Sequence, residues 1–485
     1  MKTESFTSLF ALCMLASCSV SEKNKLESRP NVVFILADDL GYGDVSCYGQ
    51  EKFTTPNIDA LASEGMKFTQ FYAGCTVSAP SRCSLMTGFH TGHAQVRGNR
   101  ELKGEGQLPM AEGTYTIARM FKDNGYATGA FGKWGLGFPG SEGDPNNQGF
   151  DEFFGYNCQR QAHRYYPSHL WHNQEKVILE GNDTKNKTVY APDLIHEKAL
   201  DFIRTNKDKP FFAFIPVIQP HAELLVPEDS IIEKYRGKYP ETPFVADKEG
   251  AEYGDPDFDV KAYCSQPEPH ATFAAMVSRV DKYVGDVTGL LKELGIDDNT
   301  IVIFSSDNGP HLEGGADPDF WNSNGDFSGY KRSMTDGGIR VPMIIKWGDR
   351  IKAGSVEQHI GAFYDFMPTF ADLLGVDVDK TDGISLLPVI TGSGEQKAHE
   401  FLYWEHQGNV AIRMGDWKAI RTGLLKDKDA PLKLYNISSD VAEVNDVAAL
   451  NPEIAAKAME KDTGARALRA ILEEYMLDIM YEIPK

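Results

Sequence analysis

Residues 31–39 read NVVFILADD, a short run of β-prone apolar side chains that stops at two adjacent aspartates. So continuous a run suits a strand buried on both faces, the condition of a parallel sheet lying between helices. Four further runs share its character: YATGAFG (126–132), FFAFIPVI (211–218), TIVIFSS (300–306) and VPMIIKW (341–347). Helical patterns separate them, among them NIDALASEGM, TIARMFKDNG and TFAAMVSRVDKYVGDVTGLLKELG, the last closed by Gly295 as a C-cap. The alternation predicts an α/β fold, a large mixed but mostly parallel sheet between helices.

Beyond about residue 385 the pattern changes to short alternating runs, FLYWEHQ, NVAIRMGDWKAIRTG and KLYNISS, and then to an amphipathic stretch near 452–478. This predicts a small C-terminal antiparallel sheet plus one helix. The expected organisation is a leader at 1–18, a tether at 19–29, a main domain at 30–384 and a smaller unit at 385–485.

Polar residues gather where four of the runs stop. Asp38 and Asp39 follow the first, Lys133 the second, His221 the third, and Asp307 and Asn308 the fourth. In open α/β sheets the ligand crevice lies at the carboxyl ends of the strands, so these residues are expected to share one site. Asp38, Asp39, Asp307 and Asn308 offer only hard oxygens, which suits Ca²⁺ or Mg²⁺ better than zinc, with Ca²⁺ preferred. Neighbouring aspartates on a strand point to opposite faces, so both reach one ion only if the strand breaks there.

A second stretch, CTVSAPSRCSLMTG (75–88), predicts a helix with Pro80 in its first turn. Ser78 then lies at the helix N-terminus, where free N–H groups favour an anion, and Arg82 can turn toward that anion one turn later. On spacing alone, a serine N-cap is the simpler account of Ser78.

The chain has 485 residues and a formal charge of −21, which argues against a general affinity for nucleic acid or anionic lipid. Its first residues, MKTESFTSLFALCMLASCSV, join Lys2 to an apolar run too short to span a bilayer, as an export signal does. Leu15-Ala16-Ser17-Cys18 resembles a bacterial lipobox, with Cys18 as the lipid-anchored N-terminus of a periplasmic or cell-surface protein; an ordinary cleaved signal is the alternative. Cys47, Cys75, Cys83, Cys158 and Cys264 remain after the leader, and their spacing suggests buried thiols, not a disulfide framework.

Ser78-Ala79-Pro80-Ser81-Arg82, continuing to Leu85-Met86-Thr87-Gly88, resembles the signature of the type I sulfatases of the alkaline phosphatase superfamily. The similarity is to serine-type bacterial members, arylsulfatases and N-acetylgalactosamine-sulfatases. It extends over Asp38-Asp39 with Gly41-Tyr42-Gly43-Asp44, Thr55-Pro56-Asn57-Ile58-Asp59, Lys133 in GKWGLG, His221 in QPHAE, Asp307-Asn308-Gly309, and Lys331 followed by Gly337-Gly338-Ile339-Arg340-Val341-Pro342. The resemblance implies that Ser78 is oxidised to formylglycine (3-oxoalanine) by a serine-type sulfatase-maturating enzyme. It also implies a Ca²⁺ held by Asp38, Asp39, Asp307, Asn308 and residue 78. Arg82, Lys133 and Lys331 would face the sulfate, and His221 would protonate the leaving alcohol.

Three positions depart from the family pattern: Gly135 stands where a histidine is usual, Asp336 where a glutamate is, and AE follows His221. His163, in the QRQAH segment, is the expected replacement for the missing imidazole. Sulfated glycans are the expected substrate class, with NCQRQAHRYYPSHLWHN (157–173) and YWEHQ (403–407) as candidate rim segments or, equally, as packing. A phosphomonoester or phosphonate hydrolase and a non-catalytic sulfated-glycan-binding lipoprotein are the alternatives.

Overall fold

The computed structural model describes residues 29–102, 105–183, 186–246 and 263–465. The leader at 1–18, all but the last residue of the 19–29 tether, the lipobox cysteine Cys18 and the end of the 452–478 stretch lie outside the described residues. No helix among those described is long and apolar enough to cross a membrane.

The opening run becomes the strand Asn31–Asp38, in which every residue is buried. Val33, Ile35 and Ala37 enter one apolar core with helices Pro56–Glu64, Ala191–Asn206 and Pro269–Glu293. Val32, Phe34 and Leu36 enter a second with helices Ser78–Thr87, Ile117–Asp123 and Phe366–Leu374. The period of two thus divides one strand between two helical layers. Phe34 sits at the centre of the second layer, its ring edge-on to Phe366 at 5.0 Å.

The sheet has ten strands in the order Ser355–Glu357, Met66–Phe68, Met343–Lys346, Thr300–Ser306, Asn31–Asp38, Phe211–Pro220, Ala127–Lys133, Glu152–Tyr156, His169–His172, Glu175–Ile178. The central five, from Thr300–Ser306 to Glu152–Tyr156, are parallel. VPMIIKW is a strand but runs antiparallel to Thr300–Ser306. Residues 307–342 return from the carboxyl end of that strand, and an antiparallel return needs no crossover to the opposite end. That direction keeps Lys331 at the end of the sheet where the aspartates stand.

The C-terminal part is a four-stranded antiparallel sheet, Leu402–His406, Asn409–Met414, Trp417–Arg421 and Lys433–Asn436. The helical residues 452–465 cover it, with Ala458 against Ala419 and Leu434. Leu402, Trp404, Ala411 and Ile420 on its other face pack on Tyr72, Ile339 and Tyr364 of the main body. Lys418 Nζ bridges Asp336 and Glu443 at 2.6 and 2.9 Å, which fixes the segment after Lys331 against the small sheet.

Phe34→Ala removes a fully buried ring from the second layer and is expected to cost about 3–5 kcal/mol of stability. Equilibrium denaturation in urea should show an earlier midpoint, and an unchanged midpoint would contradict the assigned packing.

Candidate active site

The carboxyl ends of the central strands meet the N-terminus of helix Ser78–Thr87. Asp38 is the last residue of its strand, and Asp39 has φ 61°, a left-handed conformation that aspartate tolerates and that breaks the strand's alternation. Both carboxylates therefore reach the same place. Atoms of Asp38, Asp39 and Asp307 lie within 4.8 Å of one another, all fully buried.

Three cations offset these charges. Lys133 Nζ donates to Asp38 Oδ2 at 2.7 Å, and Lys331 Nζ to Asp39 Oδ2 at 2.6 Å. Arg82 donates from Nε and Nη2 to Asp307 Oδ2 at 3.0 and 2.8 Å, and from Nη1 to the Lys133 carbonyl at 2.6 Å. Arg82 is thus engaged with a carboxylate and a strand end, and braces both. Burial, reinforced by the neighbouring Asp38, pushes the Asp307 carboxyl upward, and burial pulls the Lys133 ammonium down. Burial also acts against the Lys331 charge, but Asp39 and Glu313 outweigh it and hold its ammonium above the usual range.

Asn308 supplies the observation that bears on a metal. Its Nδ2 donates to Asp39 Oδ1 at 2.6 Å and to the Gly309 carbonyl at 2.9 Å, yet its Oδ1 is buried without a hydrogen-bond partner among the described residues. An orphaned amide oxygen beside three carboxylate groups is a donor set that fits a hard divalent cation. Gly309 is required here: a Cβ would lie 1.9 Å from the Gly337 carbonyl oxygen, so this contact packs the loop carrying Asn308 onto the one after Lys331.

Ser78 is the first residue of its helix and is fully buried. Its Oγ donates to Asp38 Oδ1 at 3.2 Å, and Lys133 Nζ donates to that Oγ at 3.3 Å. Cys75 and Cys83, on either side, are also fully buried, and burial lifts the Cys75 thiol to about 12 and raises that of Cys83. Neither offers a thiolate near neutral pH.

His221 follows its strand and is held on all sides. Its Nδ1 donates to the Ala222 carbonyl at 2.5 Å, so Nε2 carries the lone pair and accepts from Lys331 Nζ at 2.8 Å. Its ring lies between those of His163 and His311, with centroids 4.6 and 5.0 Å away and planes inclined by 8° and 18°. Burial and nearby cations, Lys331 foremost for His221 and Lys133 for His163, push both imidazoles well below their ordinary range. The catalytic and metal-ligand candidates from the sequence, His163 included, therefore lie within one connected cluster.

At Gly135 the backbone has φ 78°, and a Cβ would lie 2.1 Å from Gln159 Nε2. The Gln159 amide thus occupies the space beside the residue where the family pattern places histidine. Of the candidate rim segments, 157–173 sends Tyr165 into packing, where its hydroxyl donates to the carbonyls of Ile218 and His221. His406 of the other segment is buried near Arg332. Sequence reading missed His311 and Glu313, although PHLEGG directly follows Asp307-Asn308-Gly309.

A buried serine at a helix N-terminus, a hard-oxygen cluster and three inward cations define a hydrolase for tetrahedral oxyanion esters. The chain belongs to the Sulfatase family, which it matches over residues 30–376, and is a sulfuric ester hydrolase. Residues 325–463 also match a family described as N-sulphoglucosamine sulphohydrolase, C-terminal. Similar proteins include the N-acetylgalactosamine-6-sulfatase of Mus musculus, 31% identical over 80% of this chain and 71% of that one. The N-acetylgalactosamine-6-O-sulfatase of Bacteroides thetaiotaomicron is 28% identical over 91% of this chain and 95% of its own. Among solved structures, Ps i-CgsB in complex with k-i-k-neocarrahexaose has a TM-score of 0.73 and 29% identity, covering 90% of this chain and 93% of that one.

The thiol burial predicts that iodoacetamide at mildly alkaline pH leaves Cys75 and Cys83 of the native protein unlabelled and labels both after denaturation. Rapid native labelling of either, read by peptide mass, would contradict the assignment of both as packing residues.

Proposed function

We propose that the protein is an exported bacterial sulfatase acting on sulfated glycans, through a formylglycine made from Ser78 and one Ca²⁺. The observation that carries this reading is the Ser78 hydroxyl, buried between Asp38 and Lys133 beside the orphaned Asn308 oxygen. Asp38, Asp39, Asp307, Asn308 and residue 78 would hold the ion. Together the modified side chain and the ion supply an activated oxygen nucleophile beside a positive centre.

The remaining work falls to the chain's own groups. Lys133 and Lys331 bind the sulfuryl oxygens, and a preorganised cation in a water-excluded site stabilises developing charge far more than one in solution. Arg82 positions Asp307 and the end of the Lys133 strand. The proton for the departing alcohol comes from the Lys331–His221 pair, whose two nitrogens are 2.8 Å apart. His163, held as a neutral imidazole, is the base that substitutes for the histidine absent at Gly135.

A glycan substrate is supported by the names of the similar proteins, two of them N-acetylgalactosamine sulfatases, and by a carbohydrate complex of a related structure. Cys18 in the lipobox-like Leu15-Ala16-Ser17-Cys18 would anchor the protein to the membrane on the periplasmic or cell-surface side.

Co-expression with a serine-type maturase should make the peptide carrying Ser78 lighter by two hydrogen atoms and confer sulfate release. Ser78→Ala should abolish turnover and leave the fold intact. Full activity with unmodified Ser78 would overturn the proposal.

His163→Ala should slow release of sulfate by about 10²-fold or more, the usual contribution of a general base, while the first sulfuryl transfer proceeds. A burst of alcohol product and a sulfated peptide at residue 78 are expected. A raised KM without a trapped intermediate would place His163 in substrate binding instead.

A further inference from the structure

His311 and Glu313 belong to none of the residues assigned above, yet they lie against the proton-delivering pair. His311 is fully shielded, and its Nε2 donates to the Pro220 carbonyl at 3.0 Å, immediately ahead of His221 in the chain. Its Nδ1 accepts from the Glu313 backbone N–H at 3.2 Å and lies 3.3 Å from Glu313 Oε2. That oxygen is buried and has no hydrogen-bond partner among the described residues. The other carboxylate oxygen, Oε1, receives Arg332 Nη2 at 2.6 Å. The Lys331 backbone N–H donates to the Pro310 carbonyl at 2.8 Å, so the loop bearing His311 also carries Lys331.

These contacts converge on one ring. An imidazole can swing about its side-chain bonds, and proton delivery requires Nε2 to stay within hydrogen-bond reach of its partner. Among the described residues, the His221 ring is oriented through Nδ1, which donates to Ala222, and through Nε2, which accepts from Lys331 and lies 3.2 Å from Asp39 Oδ2. The plane of the ring is set by its stacked neighbours. His163 sits on a one-turn helix and is partly exposed, whereas His311 is pinned by hydrogen bonds at both of its nitrogens.

We propose that His311, held by Glu313, is a positioning residue of the reaction. It fixes the plane of His221 by stacking and the backbone before His221 through Pro220, and so keeps Nε2 on Lys331. The inference rests on the reading of the Lys331–His221 pair as the proton source. It adds that leaving groups in need of that proton, such as sugar alcohols, depend on His311 and that aryl leaving groups depend on it less.

The test uses matured full-length enzyme and two variants, His311→Ala, which removes stacking and hydrogen bond, and His311→Phe, which retains an aromatic face. Each is assayed with a sulfated monosaccharide and with p-nitrophenyl sulfate. His311→Ala should lower kcat on the sugar sulfate at least about tenfold more than on the aryl sulfate, with His311→Phe between it and the wild type. Nitrogen-15 chemical shifts of labelled histidines should show His221 as the single Nδ1–H tautomer in the wild type and a mixture in His311→Ala. Equal losses on both substrates, with the tautomer unchanged, would reduce His311 to a packing residue and overturn the proposal. Failure of the wild type on either sulfate ester would count against the sulfatase reading itself, while the tautomer measurement still judges His311.

Discussion

Three carboxylates buried at the ends of two adjacent strands repel one another strongly in a medium from which water is excluded. Asp38, Asp39 and Asp307 persist there because three cations reach them from separate elements. Arg82 comes from a helix, Lys133 from the end of a strand one removed from Asn31–Asp38, and Lys331 from a long return loop. The charges balance, three against three, so a divalent ion would leave the site positive toward an anionic ester. Much of the surrounding architecture meets that requirement. The left-handed Asp39 turns its carboxylate inward, the antiparallel return keeps Lys331 at the correct end, and Gly309 lets two loops touch.

The small C-terminal sheet contributes from outside the crevice. Lys418 holds Asp336, whose other oxygen accepts from the Tyr72 hydroxyl at 2.8 Å. Trp404 Nε1 donates to the Ala73 carbonyl, and the Glu405 N–H donates to Thr91 Oγ1. Two segments that flank the site, 72–76 and 336–340, are thereby clamped to a rigid platform. The aspartate at 336, where the family pattern has glutamate, is suited to this buried bridge, since its short side chain meets Lys418 at 2.6 Å.

The strands of the central sheet were legible because burial on both faces leaves an unbroken apolar run, as in NVVFIL and TIVIFSS. Strand direction was not legible, since VPMIIKW would look the same in either sense. Outer strands such as Glu175–Ile178, largely exposed, carry no such signal. The residues proposed for the site could be picked out because the polar positions coincide with the ends of four apolar runs. His311 and Glu313 could not, because stacking on His221 is a long-range contact with no local period. The aromatic content of 157–173 suits a glycan rim and packing alike, and Tyr165 takes the packing role, burying its ring where the hydroxyl finds a carbonyl.

The proposed hard-ion site joins the orphaned Asn308 oxygen to the three carboxylates. Elemental analysis of matured, active protein, with isothermal titration of the chelated form, tests this directly. One calcium per chain is predicted, rebinding after chelation and lost in Asp307→Ala. Stoichiometric zinc, or full activity with no divalent ion bound, would contradict it.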